Sequence, residues 1–468
     1  MPQTADSAAE PRRVLGESDA TCIVVGAIIG VGIFFSPART AALTGSGSLH
    51  LLTWIIAGAI ILCGALAFAE LGGMYHRSGA QYEVLRDAWG PMPAFLFVFC
   101  NATAIQAGAI GVIAVICAQN LGVAAGSGAP EGAPLLALSA ALVVAITLAN
   151  IAGVRWGSGI QNATVAAKVL ALVAIAVIAA LWGQADPMAA APALPVAIPD
   201  GAAAVPATDT AQPLAPAAAI LAALVPAFFA FGGWQHALWI TGEVKDPART
   251  VPRAIIVGII VVIAVYLLAN WAYLRLLGVQ QVAASKTLAA DAVSAVFPGT
   301  GRRLTAAAVA VSAFGVLNAQ LLSGPRLVYG MAHDGRFFPV FARLSRTGTP
   351  LGAIVLLGVL ALALLFGARD ADRVDWLTTW AVFLDGIFFA LTGAAVLILR
   401  RKRRDAERPF RVPGYPVVPL LFIAGEIGVL TGAFLTQDVR SVTVIGGAWI
   451  AGAALIYLIW FRNVGRTA

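Results

Sequence analysis

Two short stretches decide how this sequence reads: Gly26-Ala27-Ile28-Ile29-Gly30-Val31-Gly32-Ile33-Phe34 and Phe229-Ala230-Phe231-Gly232-Gly233-Trp234-Gln235. Each sits inside an apolar run long enough to cross a bilayer, which takes about 20 residues. Glycine costs a helix about 1 kcal/mol relative to alanine, so a cluster of glycines at mid-depth marks a place where a helix can part. Unwound backbone in hydrocarbon survives only around a cavity, where its polar groups find partners. A single cluster also serves close helix packing. Two clusters, each opening a set of five apolar runs, point instead to a pair of interrupted helices around a solute. Amides freed at the start of a half-helix attract a carboxylate, and carbonyls freed at the end of another attract an ammonium. A zwitterionic amino acid fits both.

Composition places the rest of the chain in a membrane. Of 468 residues, 60% are hydrophobic and 11% charged, against about 45–50% and about 25% in soluble domains. A soluble chain of this length would form about three domains, and there is too little charge here to cover them. The 48 glycines suit closely packed or interrupted membrane helices. Four cysteines and four histidines are too few and too scattered for a disulfide scaffold or a zinc module. Neither a cofactor nor a metal is expected, and Cys22, Cys63, Cys100 and Cys117 read as small hydrophobes.

Twelve runs are candidate spans, near residues 19–40, 49–73, 93–120, 134–154, 160–183, 216–242, 253–277, 303–330, 349–367, 374–399, 415–435 and 441–461. Basic residues gather on the cytoplasmic side of membrane proteins. With the N-terminus inside, twenty of the thirty Lys and Arg fall on inner segments and eight on outer ones, while Lys168 and Arg326 lie within spans. The net charge of +7 is therefore divided by side and forms no nucleic-acid surface. This layout predicts a multi-pass protein of the cell inner (plasma) membrane with both termini cytoplasmic, and a first span that is not a cleaved signal. The expected organisation is an N-terminal tail at 1–18, a first repeat at 19–183, an Ala/Pro-rich outer loop at 184–215, a second repeat at 216–399, a basic inner loop at 400–414, spans 11 and 12 at 415–461, and a tail at 462–468. The inner segment 74–91 reads as a short amphipathic helix.

The motifs resemble those of the L-type amino acid transporters of the amino acid–polyamine–organocation superfamily, as a bacterial member. The resemblance rests on Val25 to Phe34 with Ser36-Pro37, Ala69-Glu70-Leu71-Gly72 with Ser78-Gly79, Lys168, Phe229 to Trp234, Glu243-Val244-Lys245-Asp246-Pro247 with Arg253, Phe314 to Asn318 with Ser323 and Arg326, and Arg408-Pro409-Phe410. It implies an all-α membrane protein of 12 transmembrane helices. The fold would be a leucine-transporter-type five-plus-five inverted repeat with broken helices 1 and 6, and spans 11 and 12 peripheral. It also implies alternating access without ATP.

The resemblance further implies that Ile28, Ile29, Gly30, Val31 and Gly32, together with Phe229, Ala230 and Phe231, meet the substrate. Phe229 would close over it, and Trp234 and Gln235 would border its side chain. Two positions depart from the family pattern: Val31 replaces the usual Ser, and Gln235 the common Asn. Animal members bind an accessory glycoprotein through a Cys between spans 3 and 4. Residues 121–133 contain none, so no disulfide-linked heavy chain is expected and the protein would be a monomer or homo-oligomer.

Charges at depth are functional candidates. Lys168 lies about 12 Å from the cytoplasmic end of span 5 at 1.5 Å per residue. The family places a Lys there where sodium-coupled relatives hold an ion; Gly26 carbonyls and the Ser312 hydroxyl are its expected partners. Lys168 would then make transport sodium-independent, or alternatively carry a proton. Asp385 in span 10 could neutralise a cationic amino acid or amine. Glu426 reads as packing or an oligomer contact, His236 as packing or a titrating group, and Glu70 and Arg326 as gate or loop anchors.

The leading expectation is a sodium-independent exchanger or facilitator of neutral amino acids. The alternative is a proton-coupled symporter, or a carrier of cationic amino acids or amines through Asp385. A membrane-embedded enzyme would need a catalytic set at depth, a channel would suit broken helices poorly, and an ATP pump would need a Gly-x-x-x-x-Gly-Lys-Ser/Thr loop that is absent.

Overall fold

A computed structural model describes residues 12–189, 216–285, 287–367, 372–435 and 439–462. The tails at 1–11 and 463–468, and most of the expected outer loop (190–215), lie outside them. The described residues are helical apart from turns and one parallel bridge between Leu15 and Val244.

The first span is two helices, α1 (Glu17–Ile28) and α2 (Ser36–Thr44), with a short 3-10 turn (Gly32–Phe34) between them. There follow α3 (Gly47–Met74) and the short α4 (Ala80–Trp89), which is amphipathic as the sequence predicts. Next come α5 (Pro91–Cys100) and α6 (Ala107–Ala125), joined by a π segment, Asn101–Gln106. Then come α7 (Gly132–Ala152) and α8 (Val154–Trp182). The sixth span is α9 (Pro216–Phe231) and the single turn α10 (His236–Trp239). After it come α11 (Pro247–Ala284), α12 (Leu288–Ser294), α13 (Thr300–Ser323) and α14 (Pro325–His333). The chain closes with α15 (Leu351–Gly367), α16 (Asp372–Lys402), α17 (Val417–Leu435) and α18 (Val439–Ile456).

Among the described residues, eight helical stretches are long and apolar enough to cross a membrane, and Leu351–Gly367, Val417–Thr431 and Gly446–Phe461 are shorter apolar helices. The hydrophobic effect cannot sort these helices within lipid, so contact and polar pairing do. The longest helix, α11, packs along α3 and touches α1, α2 and α8. α13 packs on α6 and α8, and α16 on α17. The breaks in the first and sixth spans therefore meet in the interior, between α11 on one side and α8 and α13 on the other.

Loops on the face that carries residues 12–17 are anchored by charge. Glu70, 1% exposed, receives Arg400 through Nε at 2.9 Å and Nη2 at 2.5 Å, and the Val412 amide at 2.8 Å. Arg408 stands 3.3 Å from the same carboxylate. Arg400 also lies over the Tyr415 ring at 3.9 Å. Glu70 is thus the anchor of the basic 400–412 loop, one of the two roles its sequence position suggests.

Candidate functional site

At the first break the helical ladder stops after the Ile29 amide donates to Val25. The amides of Val31, Gly32 and Ile33 then make no protein hydrogen bond among the described residues. Three successive free amides form a concavity that favours an anion. At the second break, residues 232–235 turn between α9 and α10. Gly233 has φ of +123°, and a Cβ there would stand 2.6 Å from the carbonyl oxygen of Ala27. Only glycine allows both that backbone conformation and that approach of one break to the other.

Lys168 of α8 is fully buried and donates to the carbonyls of Gly26 at 2.8 Å and Ile29 at 2.6 Å. Ser312 of α13 stands 3.3 Å from the carbonyl oxygens of both Ile29 and Gly30. It shares the Ile29 carbonyl with Lys168. The end of α1 is therefore capped by the Lys168 amino group, whose charged form suits the negative end of the helix dipole. A Cβ on Gly26 would meet Gln161 Nε2 at 1.7 Å, so glycine there lets α8 come close enough for Lys168 to reach.

The structure thus brings together Gly26, Ile28, Ile29, Gly30, Lys168 and Ser312 around the first break. Gly32, Ala230 and Phe231 lie where the two breaks meet: a Cβ on Gly32 would stand 2.8 Å from Ala230 Cα. Phe229 is half-buried, its ring 5.5 Å from that of Phe35, which is 40% exposed. Trp234 is fully buried among Phe68, Phe389 and Phe422. Gln235 turns back so that its Oε1 accepts the Gly233 amide at 3.0 Å, satisfying the second break from within.

Asp385 lies near a second carboxyl: a Cβ on its neighbour Gly386 would stand 3.5 Å from Glu426 Oε2 of α17, and the two carboxyls are close enough to influence each other electrostatically. Glu426 is 2% exposed, which removes the oligomer-contact reading. Asp385 Oδ1 and Glu426 Oε1 are both buried without a hydrogen-bond partner.

Several residues escaped the sequence reading. Tyr266 of α11 places its hydroxyl 2.8 Å from the Ile28 carbonyl oxygen and 2.9 Å from that of Ala230, so it touches both breaks. Its only sequence signal is the polar pair Tyr266 and Asn270, one turn apart in an apolar run.

Below α10 a polar layer seals the face bearing residues 12–17. Arg326 meets Glu243 through Nε at 2.8 Å and Nη2 at 3.2 Å, both fully buried. Trp239 donates to Gln81 at 2.7 Å, and Gln81 to Thr392 at 3.0 Å. His236 stacks on Trp239 and is bonded to Ser323, a packing role. The amides of Val14 and Leu15 donate to the Glu243 carbonyl, and that of Lys245 to the Leu15 carbonyl, each at 2.9 Å. On the opposite face the observed aromatic contact over the breaks is Phe35 on Phe229.

Helices that part twice in apolar surroundings, with free amides and a buried cation at the breaks, define a solute carrier. A sequence model of the family described as amino acid permease matches residues 15–460. The b(0,+)-type amino acid transporter 1 of Mus musculus is 30% identical over 429 residues, 91% of this chain and 83% of that protein. The serine/threonine exchanger SteT of Bacillus subtilis (strain 168) is 29% identical over 435 residues, 91% and 92% of the two chains. The large neutral amino acids transporter small subunit 2 of Homo sapiens is 29% identical over 423 residues, 88% and 75%. The chain belongs to the amino acid permease family of the amino acid–polyamine–organocation superfamily. It is a multi-pass membrane transporter and not an enzyme.

Proposed function

We propose that the chain carries neutral amino acids by alternating access, as a sodium-independent exchanger or facilitator. The observation that carries this reading is Lys168, whose amino group holds the carbonyls of Gly26 and Ile29 where the first span parts. A coupling cation would otherwise have to gather those carbonyls. The free amides of Val31, Gly32 and Ile33 are the donors for the substrate carboxylate, and they need no hydroxyl at position 31. Carbonyls at the breaks that accept no hydrogen bond among the described residues, those of Ala27 and Phe231 among them, would be acceptors for the ammonium. Phe229 closes the site, and Trp234 and Gln235 border the substrate side chain. The exchanger and amino-acid transporter names of the relatives support the same class.

Among the described residues, eight long apolar helices, three shorter ones and the broken α1–α2 pair support a reading of twelve crossings in a five-plus-five scheme. The excess of basic residues supports a cytoplasmic assignment for the face bearing residues 12–17, hence for both termini, in the plasma membrane. The polar seal is then the inner gate. The alternative is a carrier of cationic amino acids or amines through Asp385, whose Oδ1 is buried without a hydrogen-bond partner.

Purified protein in proteoliposomes tests this. A panel of labelled neutral and cationic amino acids and amines is supplied with sodium or with choline outside, and with or without amino acid inside. Uptake of neutral amino acids, equal in both salts, is expected. A strict sodium requirement would overturn the reading.

A further inference from the structure

Two carboxyls meet between α16 and α17 with no cation to balance them. Glu426 stands at the middle of α17, and its Oε1 is buried without a hydrogen-bond partner. Asp385 of α16 is half-buried, but its Oδ1 is fully covered and equally unpartnered. The two are close enough to influence each other electrostatically. Gly386 and Gly393 of α16 both face α17, and Gly425 of α17 lies against Ile60 of α3, so the helices close tightly around the pair.

The helices packed on α16 and α17 bring no counter-charge to this depth. α9 and the π segment Asn101–Gln106 carry no charged residue. α3 brings His50, bonded to Asn270 and Thr40, and Glu70, bound to Arg400, with Cys63 between them. α6 brings Cys117, and α18 brings Arg440 at its first turn. On α4, Tyr82, Glu83, Arg86 and Asp87 are held in ion pairs or hydrogen bonds near the basic loop. Along α16 itself, Asp372 and Asp375 add acid at the start. Its nearest cations, Arg373 and Arg400, stand about 18 and about 22 Å from Asp385 at 1.5 Å per residue. A buried carboxylate without a cation is costly, and two at close range repel as well. Both cannot be ionised here, so the pair holds at least one proton.

The pair also stands behind the second break. Phe389 lies one turn from Asp385 on α16, and Phe422 one turn from Glu426 on α17, each on the same face of its helix as the carboxyl. Both rings pack on Trp234, at 5.5 and 5.8 Å, beside Phe68 at 4.2 Å. One turn of aromatic contact and one turn of carboxyl contact therefore join α16 to α17, and the aromatic turn supports the residue that follows Gly233.

We propose that Asp385 and Glu426 form a proton-binding site whose shared proton keeps α16 and α17 closed behind Trp234. With the proton bound, the pair tolerates burial. When the proton passes to water, the carboxylates draw solvent in, the two helices part and the wall against Trp234 loosens. The closed form binds the proton more tightly than the parted one, so it gains stability toward acid pH and loses it toward alkaline pH. The site is separate from Lys168, which belongs to α8 and serves the first break.

Glu426→Gln and Asp385→Asn each replace one carboxyl by a neutral amide of the same shape. The thermal midpoint of the purified parent in detergent should fall as the pH is stepped from about 5 to about 9. Each single variant should shrink that fall by about twofold or more, and the two single effects should sum to more than the effect of the double variant, because they act on one site. The infrared difference between the parent and the double variant at neutral pH should contain the carbonyl band of a protonated carboxyl. If the double variant does not fold, Glu426→Gln alone carries the same comparison. Absence of that band overturns the proposal, and so do strictly additive single effects. Replacing choline by sodium or potassium at constant ionic strength should leave the parent midpoint unchanged. A rise with either would assign the pair to a metal cation and overturn the proton site. In proteoliposomes Glu426→Gln should flatten the pH dependence of uptake and keep the order of preference among substrates. A change in that order confined to Asp385→Asn, with no effect of Glu426→Gln on the pH dependence, would place Asp385 with the substrate and end the shared site. The thermal and infrared measurements need no transport, so they decide the matter whichever solute is carried.

Discussion

Lys168 Nζ lies 2.6 Å from the carbonyl oxygen of Ile29 and 2.8 Å from that of Gly26, so a side chain of α8 terminates α1. Both acceptors belong to the last turn before the break. They have no amide partner, because the chain does not continue as a helix beyond them.

Lys168→Ala should abolish amino acid uptake. It leaves the buried Gly26 carbonyl without a donor, at about 1–3 kcal/mol for an unsatisfied group, and the Ile29 carbonyl with Ser312 alone. Uptake by reconstituted protein, alongside its yield as a folded monodisperse species, is the measurement. An unchanged rate would remove Lys168 from the transport cycle.

Gly233→Ala should destabilise the break itself. The added methyl meets the Ala27 carbonyl oxygen at 2.6 Å, and φ at +123° is unfavourable for alanine. Overpacking alone costs about 1–3 kcal/mol, and strained backbone about the same again. A lower thermal midpoint in detergent and loss of uptake are expected. Gly232→Ala is the control, because its methyl would come no nearer than 3.4 Å to the Phe229 carbonyl oxygen.

The polar layer below α10 can be tested by separating charge from contact. Glu243→Gln alone leaves the Arg326 guanidinium buried without a counter-charge, and loss of one partner of a buried pair costs about 3–5 kcal/mol. The single variant should open this face, read as faster maleimide labelling of a cysteine placed at Ser78. Pairing it with Arg326→Gln removes the stranded charge and should restore part of the stability. If the double variant is as unstable as the single one, packing and not charge holds the gate.

Asp385→Asn should change neutral and cationic substrates alike, because the proposed substrates are neutral and the carboxyl's charged neighbour is Glu426 of α17. Competition of lysine and leucine for uptake reads this directly. A selective loss of the cationic compound would return Asp385 to the substrate.

The breaks were legible because glycine clusters inside apolar runs are costly and have few explanations. Lys168 was legible because an ammonium at depth demands partners, and the carbonyls of an ending helix are the ones available. Tyr266 was not legible. A tyrosine in a membrane helix is commonly a packing or interfacial residue, and its partners here are backbone oxygens, which carry no sequence signature. Gln235 also accepts the Gly233 amide through its Oε1, a local bond that only the turn geometry reveals. Asp385 and Glu426 were read separately, although two isolated carboxyls at similar depth on successive spans are candidates to face one another.

The bridge between Leu15 and Val244 has a practical consequence. Three backbone bonds staple the polypeptide ahead of α1 to the strand-like stretch just beyond α10, so this face cannot open unless that staple peels away. Affinity tags, fusion partners or trimming placed near residue 12 will therefore alter turnover directly, and a carboxyl-terminal handle is the safer choice for kinetic work.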